Sequence, residues 1–369
     1  MIAHTPGLAH LAALAHLNDS AWPIAQRLAK PDRDTPCLIK TGAQAISIKA
    51  GTAVLAGAGV ARFAVDTPVT LPTLTPGEDY SVWVHPDGQA VAVADPYHTP
   101  AVAPVAGAIK IGGFHYGLVP AGETVAGGAF ATTGNGMIWT QPDVDALAGI
   151  NRYSIWDVKF RPSCDPRGMA LVAGRFWADL YFCGTNHATN GTSRYNTDVA
   201  SGTVLPKIPA EFGGNGTATY PNLTWWVAVE IATAHKKRLA LYSEFVAAAF
   251  GVTEAQSLGG SSVTIPATAR QPGYTSKYGL EQATGHHYSW GADAGYRHDG
   301  TAGWAWRNVT GGRGNLYLYT DVANVRVLLG GNRGDGSNSG SRASHWFNSP
   351  WASGWLTGLR ALGDHLILD

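Results

Sequence analysis

WWVAVEIATAHKKRLALYSEFVAAAFG, residues 225–251, carries the strong helical pattern in the C-terminal half of this 369-residue chain. Val227, Ile231 and Ala234 fall at spacings of four and three, which gives a helix one apolar face. Asn222 or Thr224 can cap its start, because a short side-chain oxygen accepts from the first unpaired N–H groups. SEFVAAAFG then reads as a second helix ending at Gly251, where a left-handed C-cap is natural. Beyond it the chain is glycine, aromatic and polar as far as VRVLL at 325–329. Two helices followed by a long aperiodic stretch predict a fold in which loops carry the function.

The end of the chain, RVLLGGNRGDGSNSGSRASHWFNSPWASGWLTGLRALGDHLILD (326–369), sharpens this. Gly330, Gly331, Arg342, Trp346, Pro350, Gly358 and Arg360 are residue types that set backbone shape or anchor a core. Between them lie Asn332, Asn338, His345, Phe347, Asn348, Gly354 and Thr357, with no common period or chemistry. A segment that only had to pack would show a period of 2 or 3.6. This one reads as a fixed frame displaying replaceable side chains.

Composition narrows the function. Charged residues are 14% of the chain, against ~25% in ordinary soluble domains. The 26 Lys and Arg equal the 26 Asp and Glu, so no basic field draws nucleic acid or an anionic membrane. Six of the thirteen Trp fall in the last eighty residues, and Trp suits both core filling and binding hot spots. Cys37, Cys164 and Cys183 have neither CxxC spacing nor framework density and read as buried free thiols, with a Cys164–Cys183 disulfide as the alternative. No apolar run reaches the ~18 residues of a membrane span. The amino terminus lacks the features of a signal peptide, which fits synthesis in a cytoplasm and release by lysis or within a particle.

The expected fold class is mostly β, a β-sandwich followed by an α+β C-terminal domain. Residues 1–40 read as an attachment or oligomerisation segment, with Leu8, Leu11, Leu14 and Leu17 on a short amphipathic helix broken at Pro23, and His4, His10 and His16 on its surface. Residues 41–120 alternate with period two, and Pro86-Asp87-Gly88 joins two runs as a hairpin. Residues 121–149, rich in Gly and Ala, read as a linker, and 150–369 as the functional domain.

Residues 225–251 also resemble the helix pair of the formylglycine-generating-enzyme type of C-type lectin fold. Lys237, Arg238, Leu239, Glu244, Phe245, Ala248, Ala249 and Gly251 match that pattern, and Ala240 and Leu241 replace its proline and capping residue. Val327 to Gly331 resemble the strand before its loops, and Gly358-Leu359-Arg360 its closing motif. RYSIWDVKFRP (152–162), DPRGM (165–169), LVAGRFWADLY (171–181), GGRG (311–314), GSRA, DHLIL (364–368) and KIGGFHY (110–116) are similar, in order, to the retroelement-diversified tropism determinants of temperate bacteriophages. That resemblance covers roughly residues 41–369; residues 1–40 do not share it.

The resemblance implies a homotrimeric tail-fibre receptor-binding protein displaying a diversifiable surface to a host protein or glycan receptor, in contact with other virion tail-fibre proteins. It implies variable positions at Asn332, Gly334, Asp335, Gly336 and Asn338, and at His345, Phe347, Asn348, Ala352, Gly354, Leu356 and Thr357. Ser341, Arg342, Trp346, Pro350 and Gly358 would hold the loops, and Trp346, Trp351 and Trp355 would give aromatic support. Arg333 stands where the pattern has Trp. No cofactor is expected beyond a possible structural calcium or magnesium.

Two rivals differ in class. A static carbohydrate-binding adhesin would stack sugars on Trp351 and Trp355, but no paired Asn, Asp or Glu cluster is evident to read hydroxyls. An enzyme of the formylglycine-generating type needs a reactive thiol pair in the loops, and no Cys follows Cys183. His286, His287 and His298 lack a third ligand at metal spacing, and Asp335 to Gly340 lack the Glu that would close a calcium loop, since Trp346 stands there. The RGD tripeptide at 333–335 and the Asn-x-Thr sequons read as chance.

Overall fold

Glycine pairs and alternating apolar runs build the first half of the molecule. In the computed structural model, residues 24–127, 130, 138–260, 266–295, 305–307, 316–318 and 324–368 are described. The amphipathic helix expected around Leu8 to Leu17, its three histidines and His298 lie outside them. Strands Glu78–Val84 and Ala90–Ala94 form the hairpin expected across Pro86-Asp87-Gly88, and Ile109–Tyr116 pairs on the other side of Glu78–Val84. Two three-stranded sheets, Leu38–Gly42 with Ala45–Ile48 and Thr67–Pro68, and Leu28–Ala29 with Thr52–Ala56 and Gly59–Phe63, pack over them. The shared core includes Leu28, Leu38, Ile48, Val54, Val82 and Ile111. The part of the expected attachment segment that is described therefore belongs to this body, and a buried ion pair from Lys30 to Asp157 at 3.1 Å ties it down.

The sandwich does not end at its own last strand. Ile109–Tyr116 is hydrogen-bonded to Trp156–Asp157, which leads through Phe160–Pro162 to Ala361–Ile367, Phe176–Asp179 and Met169–Val172 in one nine-stranded sheet that also takes in Arg238–Leu239. Gly112 and Gly113 permit this junction. A Cβ on Gly112 would lie 2.2 Å from the Trp156 carbonyl oxygen, and one on Gly113 would lie 2.4 Å from that of Tyr80.

Residues 121–149, read from composition as a linker, carry structure of their own. Helix α1 (Gln141–Leu147) starts at Thr140, whose N–H donates to Asp143, and buries Val144 and Leu147 against Val119, Phe130 and Trp139. Trp139 Nε1 donates to the Gly251 carbonyl at 2.9 Å, fastening this segment to the functional half. A tether would have no such core; here aromatic residues between the glycines make one.

In that half, α2 (His187–Asn190) is a single turn, and α3 (Trp225–Ala234) and α4 (Tyr242–Ala248) are the two helices read from residues 225–251. Thr224 Oγ1 accepts from Val227 N, so the cap is Thr224. The buried face of α3 is Val227, Ala228, Ile231 and Ala232, with Ala234 at its edge. Leu241 cannot cap α4 through its own side chain. Glu244 instead accepts from Leu241 N at 3.0 Å and Asp293 from Tyr242 N at 2.6 Å. Arg238 in turn grips Glu244 with two 2.7 Å bonds. The helix ends at Ala248, and Gly251 takes its positive φ (104°) three residues later.

Candidate binding surface

Four strands support the loops. Tyr288–Gly295 pairs with Val325–Leu329, which pairs with Ser344–Asn348 at the open edge, while Thr357–Gly358 runs parallel to Tyr288–Ser289. Behind the sheet sits Arg360, 4% exposed. Its guanidinium donates to the carbonyls of Asp179 (2.8 Å) and Glu281 (2.6 Å) and lies 4.6 Å over the Phe182 ring. Burial pushes its pKa down to about 10, which still leaves it charged at neutral pH. Asp179 also holds Lys237 in a buried pair at 2.5 Å. Each of these buried charges has at least two hydrogen-bond partners, the condition under which buried ions are tolerated.

The first loop group is pinned from a segment that sequence reasoning missed. Glu254 accepts from Ser341 N (2.9 Å) and Oγ (2.5 Å). Ser257 Oγ donates to the Arg333 carbonyl and accepts from Gly336 N. Arg333 reaches the Gly259 carbonyl at 3.3 Å, so it closes over this segment. Within the loop, Asp335 accepts from Asn332 N and the Asn332 side chain from Gly334 N, both at 2.7 Å. Asn332 and Asp335 thus shape the turn, while Gly334, Gly336 and Asn338 face solvent.

The second group begins on the edge strand. His345, Trp346 and Phe347 are consecutive and all exposed, so both faces of this strand present aromatic surface to solvent. His345 Nδ1 contacts Asn348 Nδ2 at 3.0 Å, and its ring lies 6.0 Å from Phe347 and 5.9 Å from Tyr288. Tyr288 also hydrogen-bonds Asp335; burial first, then that carboxylate, pushes its phenol up. One tyrosine therefore joins the two groups.

Trp351 is 71% exposed and packs at 5.7 Å against Trp226 of α3, itself 39% exposed; Trp355 is open as well. Trp226 was not singled out from the sequence. Its signal was the Trp225-Trp226 doublet, of which Trp225 turns inward to donate to Gly291 O and carries Arg326 on its ring at 4.3 Å.

Several residues lie elsewhere than the resemblance implied. Leu356 and Thr357 are buried, because Tyr288 N donates to Leu356 O and Thr357 enters the sheet. Ala352 packs half-buried against the α3 core, and Gly354 is also half-covered. Trp346 (40% exposed) and Arg342 are on the surface instead of anchoring the frame. Ser341, Pro350 and Gly358 are buried as a frame requires.

None of the three thiols reaches this surface. Cys37, Cys164 and Cys183 are free and buried, and burial raises all three, Cys164 to about 11. A thiol so protonated is a poor nucleophile. His286 and His287 are buried beneath the loops with their Nδ1 atoms 2.8 Å apart. Among the described residues, no three His, Cys, Asp or Glu side chains gather as a ligand set.

Known proteins share this arrangement. A tail fiber receptor-binding protein of Bordetella phage BPP-1 is 40% identical over 347 residues, covering 92% of this chain and 85% of its own. The chain belongs to the major tropism determinant family. The U1 variant of the Major Tropism Determinant superposes with a TM-score of 0.75 at 40% identity, covering 92% of this chain and 86% of that structure. The I1 variant gives 0.77 at 39% identity, with the same coverage. The Mtd second domain model matches residues 36–157, so this family unit begins before Leu38 and runs past α1 to the junction strand Trp156–Asp157. The fold class is that of the tropism determinants: mostly β, with a C-type lectin fold at the C-terminal end.

Proposed function

We propose that this protein is a phage tail-fibre tropism determinant that binds a host surface receptor through the exposed aromatic strand and its flanking loops. One observation carries the reading: His345, Trp346 and Phe347 stand exposed on an edge strand that is hydrogen-bonded on one side to Val325–Leu329, itself buried throughout. An edge strand with three exposed rings costs solubility, whereas rigid aromatic side chains give much contact area for little lost entropy. The host receptor is a protein or a glycan, and other tail-fibre proteins of the virion are its assembly partners in this reading.

A homotrimer at the fibre tip deepens the reading. Weak sites on one rigid base gain ~10²–10⁴ in avidity when linked. Retroelement editing of the exposed positions fits the same picture, with synthesis in the host cytoplasm before assembly. The role is binding without catalysis and without a cofactor. No described helix is long and apolar enough to cross a membrane.

Binding of the purified protein to host cells, wild type against His345→Ala and Phe347→Ala, tests the reading. Cell binding should fall while the melting temperature stays within a degree or two. Unchanged binding by the double variant would refute it.

A further inference from the structure

A second recess lies far from these loops. It is a cleft of about 530 Å³ where the sandwich meets the lectin unit, and no residue between 324 and 358 lines it. Its volume is in the range that encloses a small ligand. Its walls carry charges of both signs, and most of these are matched within the protein. Lys110 pairs with Asp95, Arg167 with Asp165 and Asp95, and Arg194 with Glu78. Asp79 accepts from Gly168 N and contacts His115, and Lys237 turns away to Asp179.

Two cations remain. Arg161 is half-buried, and its Nε is buried with no hydrogen-bond partner among the described residues. Lys236 is exposed at the rim and makes no ion pair among the described residues. Lys236 is also held in an unusual backbone state, φ +57°, at the end of α3. There Lys236 N donates to Thr233 O and Lys237 N to Ala232 O, the helix-ending pattern that ordinarily selects glycine. A lysine here bears a conformational cost with no packing return.

We propose that this cleft binds a carboxylated sugar. Arg161 and Lys236 take the carboxylate through charge-assisted hydrogen bonds. Ser163 and Asn190, which also line the cleft, pair with hydroxyls as donors and acceptors. Lys110, Arg167, Arg194 and Lys237 are each matched by a carboxylate, and Arg161 and Lys236 are the two cations of the lining with no carboxylate partner among the described residues, which leaves them for an anion. The site is independent of the receptor surface and stands if the function proposed above fails.

Calorimetric titration of the full chain with sodium glucuronate, glucose and inorganic phosphate tests this. Glucuronate should bind with a Kd of about 1 mM, typical of a single small-ligand contact set, and glucose at least about tenfold more weakly for want of the carboxylate. Arg161→Gln and Lys236→Gly should each weaken glucuronate about tenfold. Lys236→Gly is the informative variant, because glycine suits the left-handed position and the fold should be at least as heat-stable as before. A glucuronate-bearing polysaccharide that binds more tightly than the monosaccharide would support a surface polymer as the source, and one that does not would support a free sugar acid. The proposal is overturned if glucuronate gives no heat at tens of millimolar, if phosphate or glucose binds as well, or if both variants bind like wild type.

Discussion

Lowering the pH from 7.5 to 5 should destabilise this protein through two buried histidine pairs, and one carboxyl group should mask much of the effect. His187 Nδ1 lies 3.0 Å from His235 Nε2, and the Nδ1 atoms of His286 and His287 are 2.8 Å apart. In each contact one ring donates and the other accepts, which requires the accepting ring to be neutral. Burial, reinforced by nearby positive charge, holds His286 down at about 2 and His235 and His287 at about 3. In the unfolded chain each titrates near ~6.5. A folded pKa below the unfolded one contributes stability that is complete above ~6.5 and is lost as the pH falls toward the folded value. At pH 5 each imidazole kept neutral costs about 2 kcal/mol, from roughly 1.5 pH units at about 1.36 kcal/mol each. One such proton per pair gives about 4 kcal/mol, and three groups about 6.

Glu281 has the opposite sign. Burial raises its carboxyl to about 7, so the folded protein takes up a proton there while the unfolded chain stays ionised down to ~4.3. That returns about 3 kcal/mol by pH 5 and leaves a net loss of about 1–3 kcal/mol in the wild type. Glu281→Gln removes the compensation. Urea midpoints at the two pH values should therefore show an acid loss roughly 3 kcal/mol larger in Glu281→Gln than in wild type. An equal or smaller loss in the variant would refute the assignment of these groups.

Other expectations follow from the frame and the loops. Arg360→Met strands two buried carbonyls and should cost about 3–5 kcal/mol in chemical denaturation. Leu356→Ala should cost about 2–3 kcal/mol, because the side chain is 9% exposed, although the resemblance places it among replaceable positions. Trp346→Ala and Arg342→Ala should each change stability by under about 1 kcal/mol; a larger loss would restore them to the frame. Gly331→Ala puts a Cβ 2.3 Å from Ser339 Oγ at φ +78° and should cost more than about 2 kcal/mol, seen as a lowered melting temperature.

Local pattern made some of this legible and hid the rest. The α3 and α4 pair followed from spacing and caps, and the hairpin at Pro86-Asp87-Gly88 from turn chemistry, because both are set by neighbours in sequence. Arg360 stood out as a frame position, yet its acceptors are the carbonyls of Asp179 and Glu281, far off in the chain and without side-chain signature. Glu254 and Ser257 support the first loops in the same unsigned way. Composition misjudged residues 121–149: Phe130 and Trp139 outweigh the glycines once Val119 and Leu147 are beside them. The alternation of fixed and free positions in the last segment was visible, but side-chain type could not tell an open tryptophan at 346 from a buried leucine at 356. That distinction depends on which strand lies at the sheet edge.

The hydrogen bonds between Ile109–Tyr116 and Trp156–Asp157 have a mechanical consequence. A particle held by its receptor is pulled by flow and diffusion, and with the binding surface proposed above the pull would enter through the loops near Trp351. Because the two halves share one sheet, that force is borne by adjacent strands loaded together. The proposed binding surface would thereby keep its heading relative to the body behind it.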